Sequence, residues 1–199
     1  MRRNLFATLL VAGALAVAGA AQAAVWTIDT SHSSVGFSVR HIFSKVPGTF
    51  DKFSGTIDYD PAKPEAASVK VEIEAASINT KNERRDNHLR SADFFEVEKY
   101  PTLSFQSTKV VKGEGNALSV EGNLTMHGVT KPVTLAVTFL GATDPQPGAR
   151  AGFEATTTVN RKDYGILWNR TLDAGGTLLS DDVAITILIE AMIPEEKKS

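Results

Sequence analysis

The chain has 199 residues, with 21 Lys and Arg, 23 Asp and Glu, and no cysteine. That length suits one well-packed domain, and the lack of thiols excludes disulfides, thiolate catalysis and Cys-zinc sites. A formal net charge of −2 argues against nucleic acid as a partner and gives the whole molecule no pull toward anionic membranes.

The first residues read as a secretory leader. Arg2 and Arg3 form its positive start, Leu5 to Val17 is an apolar run too short to span a bilayer, and Ala21-Gln22-Ala23 is a small-x-small cleavage site. The expected organisation is a signal peptide over residues 1–23, cleavage near Ala23/Ala24, and one β-domain over 24–199. Loss of Arg2 and Arg3 leaves 19 basic against 23 acidic groups, a net charge of −4. The short apolar run and the cleavage site favour a bacterial periplasm. Arg2-Arg3 followed by Leu5-Phe6 also resembles a twin-arginine signal, but lacks a polar Ser or Thr just before the pair, so ordinary secretion is preferred. No later segment is apolar for long enough to form a membrane-spanning helix.

From Trp26 onward the dominant period is two. Trp26 and Ile28 alternate with polar neighbours, as do Val35, Phe37 and Val39; Phe53, Gly55 and Ile57; Val69, Val71 and Ile73; and Leu103 and Phe105. Later runs are Leu118, Val120, Gly122 and Leu124; Val133, Leu135, Val137 and Phe139; Phe153 and Ala155; and Val183, Ile185, Ile187 and Ile189. Strict alternation in many short runs predicts half-buried antiparallel strands. Turn chemistry separates them at Asp60–Pro64, Gly113–Asn116, His127-Gly128 and Asp144–Gly148. Strands joined in order by short turns predict an up-and-down meander, and eight or nine of them suffice to close a barrel and remove its edges.

Ser77 to Thr108 interrupts this pattern. Thr80 and Glu83 have capping-box spacing, and Asn82 to about Ala92 is predicted to be helical, with Asp86 and Arg90 paired at i,i+4. Leu89 is its one large apolar residue, so no core-facing stripe is expected. Phe94 and Phe95 follow as core plugs, and Tyr100-Pro101 returns the chain to the sheet. A second irregular stretch, Asn160 to Ser180, carries Tyr164, Ile166, Leu167 and Trp168. A loop of that length reads either as a lid or as a simple cover for the barrel end.

Several segments occur together in a specific order: Trp26-x-Ile28-Asp29-x-x-His32-Ser33, Gly48-x-Phe50-x-x-Phe53-x-Gly55, Arg85-Asp86-x-His88-Leu89, Asp93-Phe94-Phe95, Gly122-x-Leu124-Thr125-x-x-Gly128 and Asn160-Arg161-x-x-Tyr164-Gly165. In this the chain resembles the YceI-like family of exported lipid-binding proteins, over essentially its whole length after residue 24. One departure is Asn160, where an aspartate or similar residue is expected. The resemblance implies a mainly β fold, an antiparallel up-and-down lipocalin-like barrel of about eight strands with a short helical insertion. It also implies an elongated apolar cavity for an isoprenoid or similar amphiphile, and no agreed enzymatic activity.

Candidate apolar lining residues are Phe37, Val39, Phe50, Phe53, Ile57, Phe105, Leu124, Phe139, Phe153 and Trp168. Candidate head-group contacts are Arg84, Arg85, His88, His41 and Tyr164; Arg84 and His88 lie at i,i+4 on one helix face. His41 shares strand parity with Val35, Phe37 and Val39, and His32 lies just ahead of them in the same segment; both are candidates to face inward. Small residues within strands (Gly36, Gly55, Gly122, Ala75, Ala136, Ala155 and Ala184) suit an open lumen, and equally a collapsed sandwich. The four histidines are scattered, and no G-x-S-x-G, H-E-x-x-H or paired-histidine spacing is present. The expectation is a binding protein, not an enzyme, with no cofactor or metal. Its partner would be an amphiphilic small molecule: a polyisoprenoid, quinone or fatty-acid-like lipid. A lipid-acting hydrolase with His-based catalysis and a non-lipid interaction module stay open as alternatives.

Overall fold

The structure, a computed structural model, describes residues 24–195 except Pro145 and Ala174. The signal peptide expected over residues 1–23, with its expected cleavage site, and the last four residues lie outside the described residues. The strands are β1 (Ala24–Ile28), β2 (Ser34–His41), β3 (Ser44–Phe50), β4 (Phe53–Tyr59), β5 (Ser68–Glu74) and β6 (Ile78–Asn79). After the helix α1 (Glu83–Arg90) come β7 (Thr102–Lys112), β8 (Ala117–Met126), β9 (Val129–Ala142), β10 (Arg150–Asn160) and β11 (Leu179–Met192). Every pairing between strands is antiparallel.

Eight strand positions close the ring. β1 and β2 behave as one interrupted strand, because both pair with β11: Ile28 lies opposite Ala191 and Ser34 opposite Leu188. In the same way β3 and β4 pair successively with β2 and β1, and β6 and β5 with β3 and β4. The remaining strands follow in chain order from β7 to β11. The result is the up-and-down barrel expected from the alternation, closed so that no long edge faces water.

The apolar face of each strand points inward, as the period-two pattern requires. One exception lies in β7, where Leu103 and Phe105 face inward at odd positions and Val110 at an even one. A register shift between Ser107 and Lys109 makes the exchange; the extra residue of a bulge flips the parity of everything beyond it. Ala136 and Ala184, small residues with a possible lumen role, instead point to solvent. Gly122 serves the wall directly: a Cβ there would stand 2.4 Å from the Phe105 ring, so only glycine lets that ring lie across its neighbour strand.

The break between β1 and β2 carries an ionic pin. Arg150 Nη1 donates to Asp29 Oδ2 at 2.6 Å and also meets Glu190. His32 stands outside this pin with its side chain 60% exposed, Nδ1 being 2.9 Å from Asp29 Oδ2. The inward-facing expectation for His32 fails because it falls in the turn between the two half-strands, an odd step of three residues before the buried Val35. Hydrogen bonds from Ser31, Arg150 and His32 hold the Asp29 carboxyl well below the usual carboxylate range.

Candidate functional site

The barrel is not filled. An elongated cavity of about 240 Å³ is lined from every side of the ring, with Ile57, Val71, Phe105, Val120, Leu135, Phe153, Ala155 and Ile187 among its walls. A single buried water requires about 10–15 Å³ on a comparable scale, so this is no ordinary packing defect. Its accessible wall is entirely apolar. An eight-stranded barrel is just wide enough either to be packed by its own side chains or to hold one small ligand; here the second geometry is realised.

One end is sealed by aromatic packing. Trp26 is 1% exposed and its indole N–H donates to Tyr59 O at 3.2 Å. The Tyr59 ring packs at 4.9 Å from Phe139 and 5.2 Å from Phe153. Ala149, Ala151 and Ala191 close the remaining space.

The helical insertion caps the other end. Leu89, Phe94 and Phe95 all face the cavity, so α1 does present an apolar contact to the interior, supplied by one leucine and the two phenylalanines after the helix. The capping box predicted at Thr80 and Glu83 does not form. Asn82 is the N-cap and accepts from Arg85 N. Thr80 is instead buried against Asp86, whose Oδ1 accepts from both its N–H (2.8 Å) and its hydroxyl. Asp86 therefore does not pair with Arg90 as its spacing suggested, since its carboxylate is already engaged inward.

The arginines of this segment do structural work at the seam where β6 ends. Arg85 donates to Thr80 Oγ1 at 2.7 Å and to Thr80 O at 2.8 Å. Arg90 donates to Ala76 O and Ile78 O, both at 2.8 Å. These carbonyls lie where no further strand pairs with β6, and an unpaired carbonyl is costly when shielded from water. Asp86→Ala should lower the unfolding free energy by about 1–3 kcal/mol, since it strands the buried Thr80 N–H; urea unfolding of the variant would measure this.

Of the ten candidate lining residues, Phe37, Val39, Phe50, Ile57, Phe105, Leu124 and Phe153 reach the cavity. Phe53 packs in the wall behind it, Phe139 belongs to the aromatic seal, and Trp168 packs 5.2 Å from Phe94 and 4.9 Å from His88. The five candidate head-group residues are not brought together, and none lines the cavity. Arg84 is exposed and Arg85 is held by Thr80. His88 binds Asp93 Oδ2 through Nε2 at 2.8 Å. His41 sits at the end of β2, opposite Leu179. Tyr164 is 2% exposed, and burial pushes its hydroxyl up to about 12.

Arg161 is the functional-end residue that sequence reasoning left without a role. It is 4% exposed and touches the cavity wall. Its guanidinium donates to Ser180 O at 3.0 Å, Ile166 O at 2.8 Å and Trp168 O at 2.7 Å, with Asp181 Oδ1 at 3.3 Å. Burial pulls its proton affinity down, and Asp181 opposes that effect. The signal was present in the parity of β10: Ala151, Phe153, Ala155, Thr157 and Val159 alternate inward, and the next step of two is Arg161.

Among known proteins, the chain is 45% identical to a UPF0312 protein of Pseudomonas putida over 170 residues, covering 83% of this chain and 88% of the relative. A UPF0312 protein of Vibrio cholerae is 44% identical over 170 residues, covering 83% and 89%. The Campylobacter jejuni YCEI protein superposes with a TM-score of 0.69 at 33% identity, over 78% of this chain and 90% of that one. BcnA of Burkholderia cenocepacia gives a TM-score of 0.73 at 26% identity, over 83% and 99%. A polyisoprenoid binding domain from Saccharophagus degradans shares the fold, with a TM-score of 0.64 at 20% identity over 87% and 99%. The family model for the YceI-like domain matches residues 26–191, all of the barrel but the outermost residues of β1 and β11, and the chain belongs to the YceI-like family.

Proposed function

We propose that this protein is a binding protein that encloses the hydrocarbon part of an isoprenoid, quinone or similar amphiphile, as an exported carrier, store or sensor. The observation that carries this reading is the closed barrel with an open, wholly apolar lumen. Each methylene moved from water onto such a wall contributes about 0.8 kcal/mol. Roughly ten of them offset an association cost on the order of 4–15 kcal/mol. Binding then depends on the tail and tolerates different head groups, which suits a lumen with no polar atom on its accessible wall. The polyisoprenoid binding domain of Saccharophagus degradans has the same architecture.

The same wall disfavours a hydrolase. Among the described residues the polar side chains lining the cavity are Tyr59, Thr157 and Arg161 alone, none of them paired with a general base there, and His88 and His41 do not line it. Export to the periplasm is supported by Arg2-Arg3, the Leu5–Val17 run and the Ala21-Gln22-Ala23 site. The deciding experiment is to purify the protein natively, denature it, extract with organic solvent and analyse the extract by mass spectrometry. An amphiphile near one per chain is the expected result; empty extracts from independent preparations would favour a surface-interaction module instead.

A further inference from the structure

We propose that the barrel end bearing the β2–β3 hairpin docks on an anionic phospholipid bilayer, with Phe43 inserted among the lipids. This deepens the lipid-binding reading, on which it rests, by naming the source from which the ligand is taken or to which it is delivered.

The hairpin tip is built against the ordinary rules of folding. His41 pairs with Ser44, so the turn consists of Ile42 and Phe43 alone. Two-residue turns favour asparagine and glycine, yet here a β-branched isoleucine adopts φ 53°, where such residues are strained. Phe43 is 98% exposed and contributes nothing to either core cluster. A solvated aromatic on a strained turn has no account within the fold itself.

A second apolar element lies beside it. Ile42 N–H donates to Leu178 O at 2.9 Å, and Leu178 N–H donates to Arg170 O at 2.8 Å. This ties the hairpin tip to the loop after β10, where Leu167 is 64% exposed. The two segments also gather cations. Arg40 and Lys45 face each other across the hairpin, and Arg170 lies in the adjoining loop. None of the three forms an ion pair among the described residues. The Arg40 guanidinium is held at the tip by a 2.9 Å bond to Ile42 O. Asp173 is the single carboxylate in residues 40–45 and 167–179; Asp181 and Asp182 follow on β11 next to Ser180, which accepts from Arg40 N–H at 3.1 Å, and Asp181 is already engaged by Lys162 and Arg161.

An exposed apolar tip ringed by cations fits a surface that is anionic outside and apolar within. The chain's overall charge of −2 would repel such a surface, so attraction is confined to this end and orients it. Val39 and Ile166, close in sequence to the patch on each side, already belong to the cavity wall. A lipid tail leaving the bilayer at Phe43 or Leu167 therefore meets apolar side chains leading to the lumen.

The test is co-sedimentation of the purified protein with vesicles of phosphatidylcholine alone or mixed with phosphatidylglycerol, at low and high salt, with lipid content followed by extraction. Binding to the mixed vesicles, weakened by salt, is expected. Phe43→Ser should lower partitioning by about tenfold or more, and Arg40→Gln with Lys45→Gln should remove the preference for the anionic lipid. Both variants alter exposed side chains, and unchanged thermal unfolding would show that the barrel is intact. Undiminished partitioning of Phe43→Ser, or a Phe43-dependent dimer that ignores vesicles, would overturn the docking proposal. A protein that carries extractable lipid yet binds no vesicle would refute docking while leaving the lipid reading standing. Phe43-dependent vesicle binding with no extractable lipid would do the reverse.

Discussion

Arg161→Ala is expected to lower the unfolding free energy by about 3–5 kcal/mol, among the largest single effects in this barrel. The guanidinium is 4% exposed and satisfies three backbone carbonyls, those of Ile166, Trp168 and Ser180. Truncation leaves them unpaired beside an apolar cavity and removes one of the two cationic partners of Asp181, the other being Lys162 at 2.9 Å. Losing one member of a buried, hydrogen-bonded ionic contact costs about 3–5 kcal/mol, and each carbonyl left dry adds to the penalty. Asp181 is itself partly exposed, which places its own share at the low end. Arg161→Lys should recover only part of the loss, because an ammonium cannot reproduce the planar fork that spans both sides of the loop. Chemical denaturation of the three proteins measures the difference. A loss under 1 kcal/mol for the alanine variant would show that the loop holds its shape without this anchor.

The barrel itself was legible because its cause is local. Alternation at Val183, Ile185, Ile187 and Ile189, or at Leu118, Val120, Gly122 and Leu124, is imposed by a strand with one apolar face, and such runs identify themselves. β3 and β6 announced themselves less clearly. β3 carries Pro47 and Gly48, and β6 has only two residues; both exist because neighbouring strands supply their partners. The bulge near Thr108 was equally hidden, since a parity change appears only when both strands are in view.

The site was legible in part, and for a related reason. Aromatic residues within alternating runs, such as Phe37, Phe105 and Phe153, had to face inward, and the interior turned out to be the cavity wall. Charge gave the weaker guide. The arginines of the insertion suggested a ligand head, whereas Arg85 and Arg90 bind main-chain carbonyls at the seam. An arginine near a site has one appearance in sequence whether its partner is a ligand or a dry backbone oxygen. Only the geometry of β6, which ends after Asn79 and leaves carbonyls without a strand to pair them, separates the two.

Ala155→Phe should abolish lipid uptake while leaving the barrel as stable as before, or more so. Ala155 lies mid-wall on β10, between Val137 of β9 and Ile187 of β11, and it faces the cavity. A phenyl ring placed there occupies the space of several methylenes of a bound chain. At about 0.8 kcal/mol for each methylene displaced, the loss reaches roughly 3 kcal/mol, about a hundredfold in affinity. The effect on stability has the opposite sign to that in a packed core, where an inserted ring forces strain of about 1–3 kcal/mol. In a void the same ring gains apolar contacts it would otherwise lack. Bound lipid would mask the comparison by stabilising only the wild-type protein, so both proteins must be stripped of lipid before thermal unfolding. A folded variant that still takes up a fluorescent lipid at wild-type affinity would place the ligand elsewhere. Marked destabilisation of the stripped variant would mean that the interior closes around Ala155 in solution.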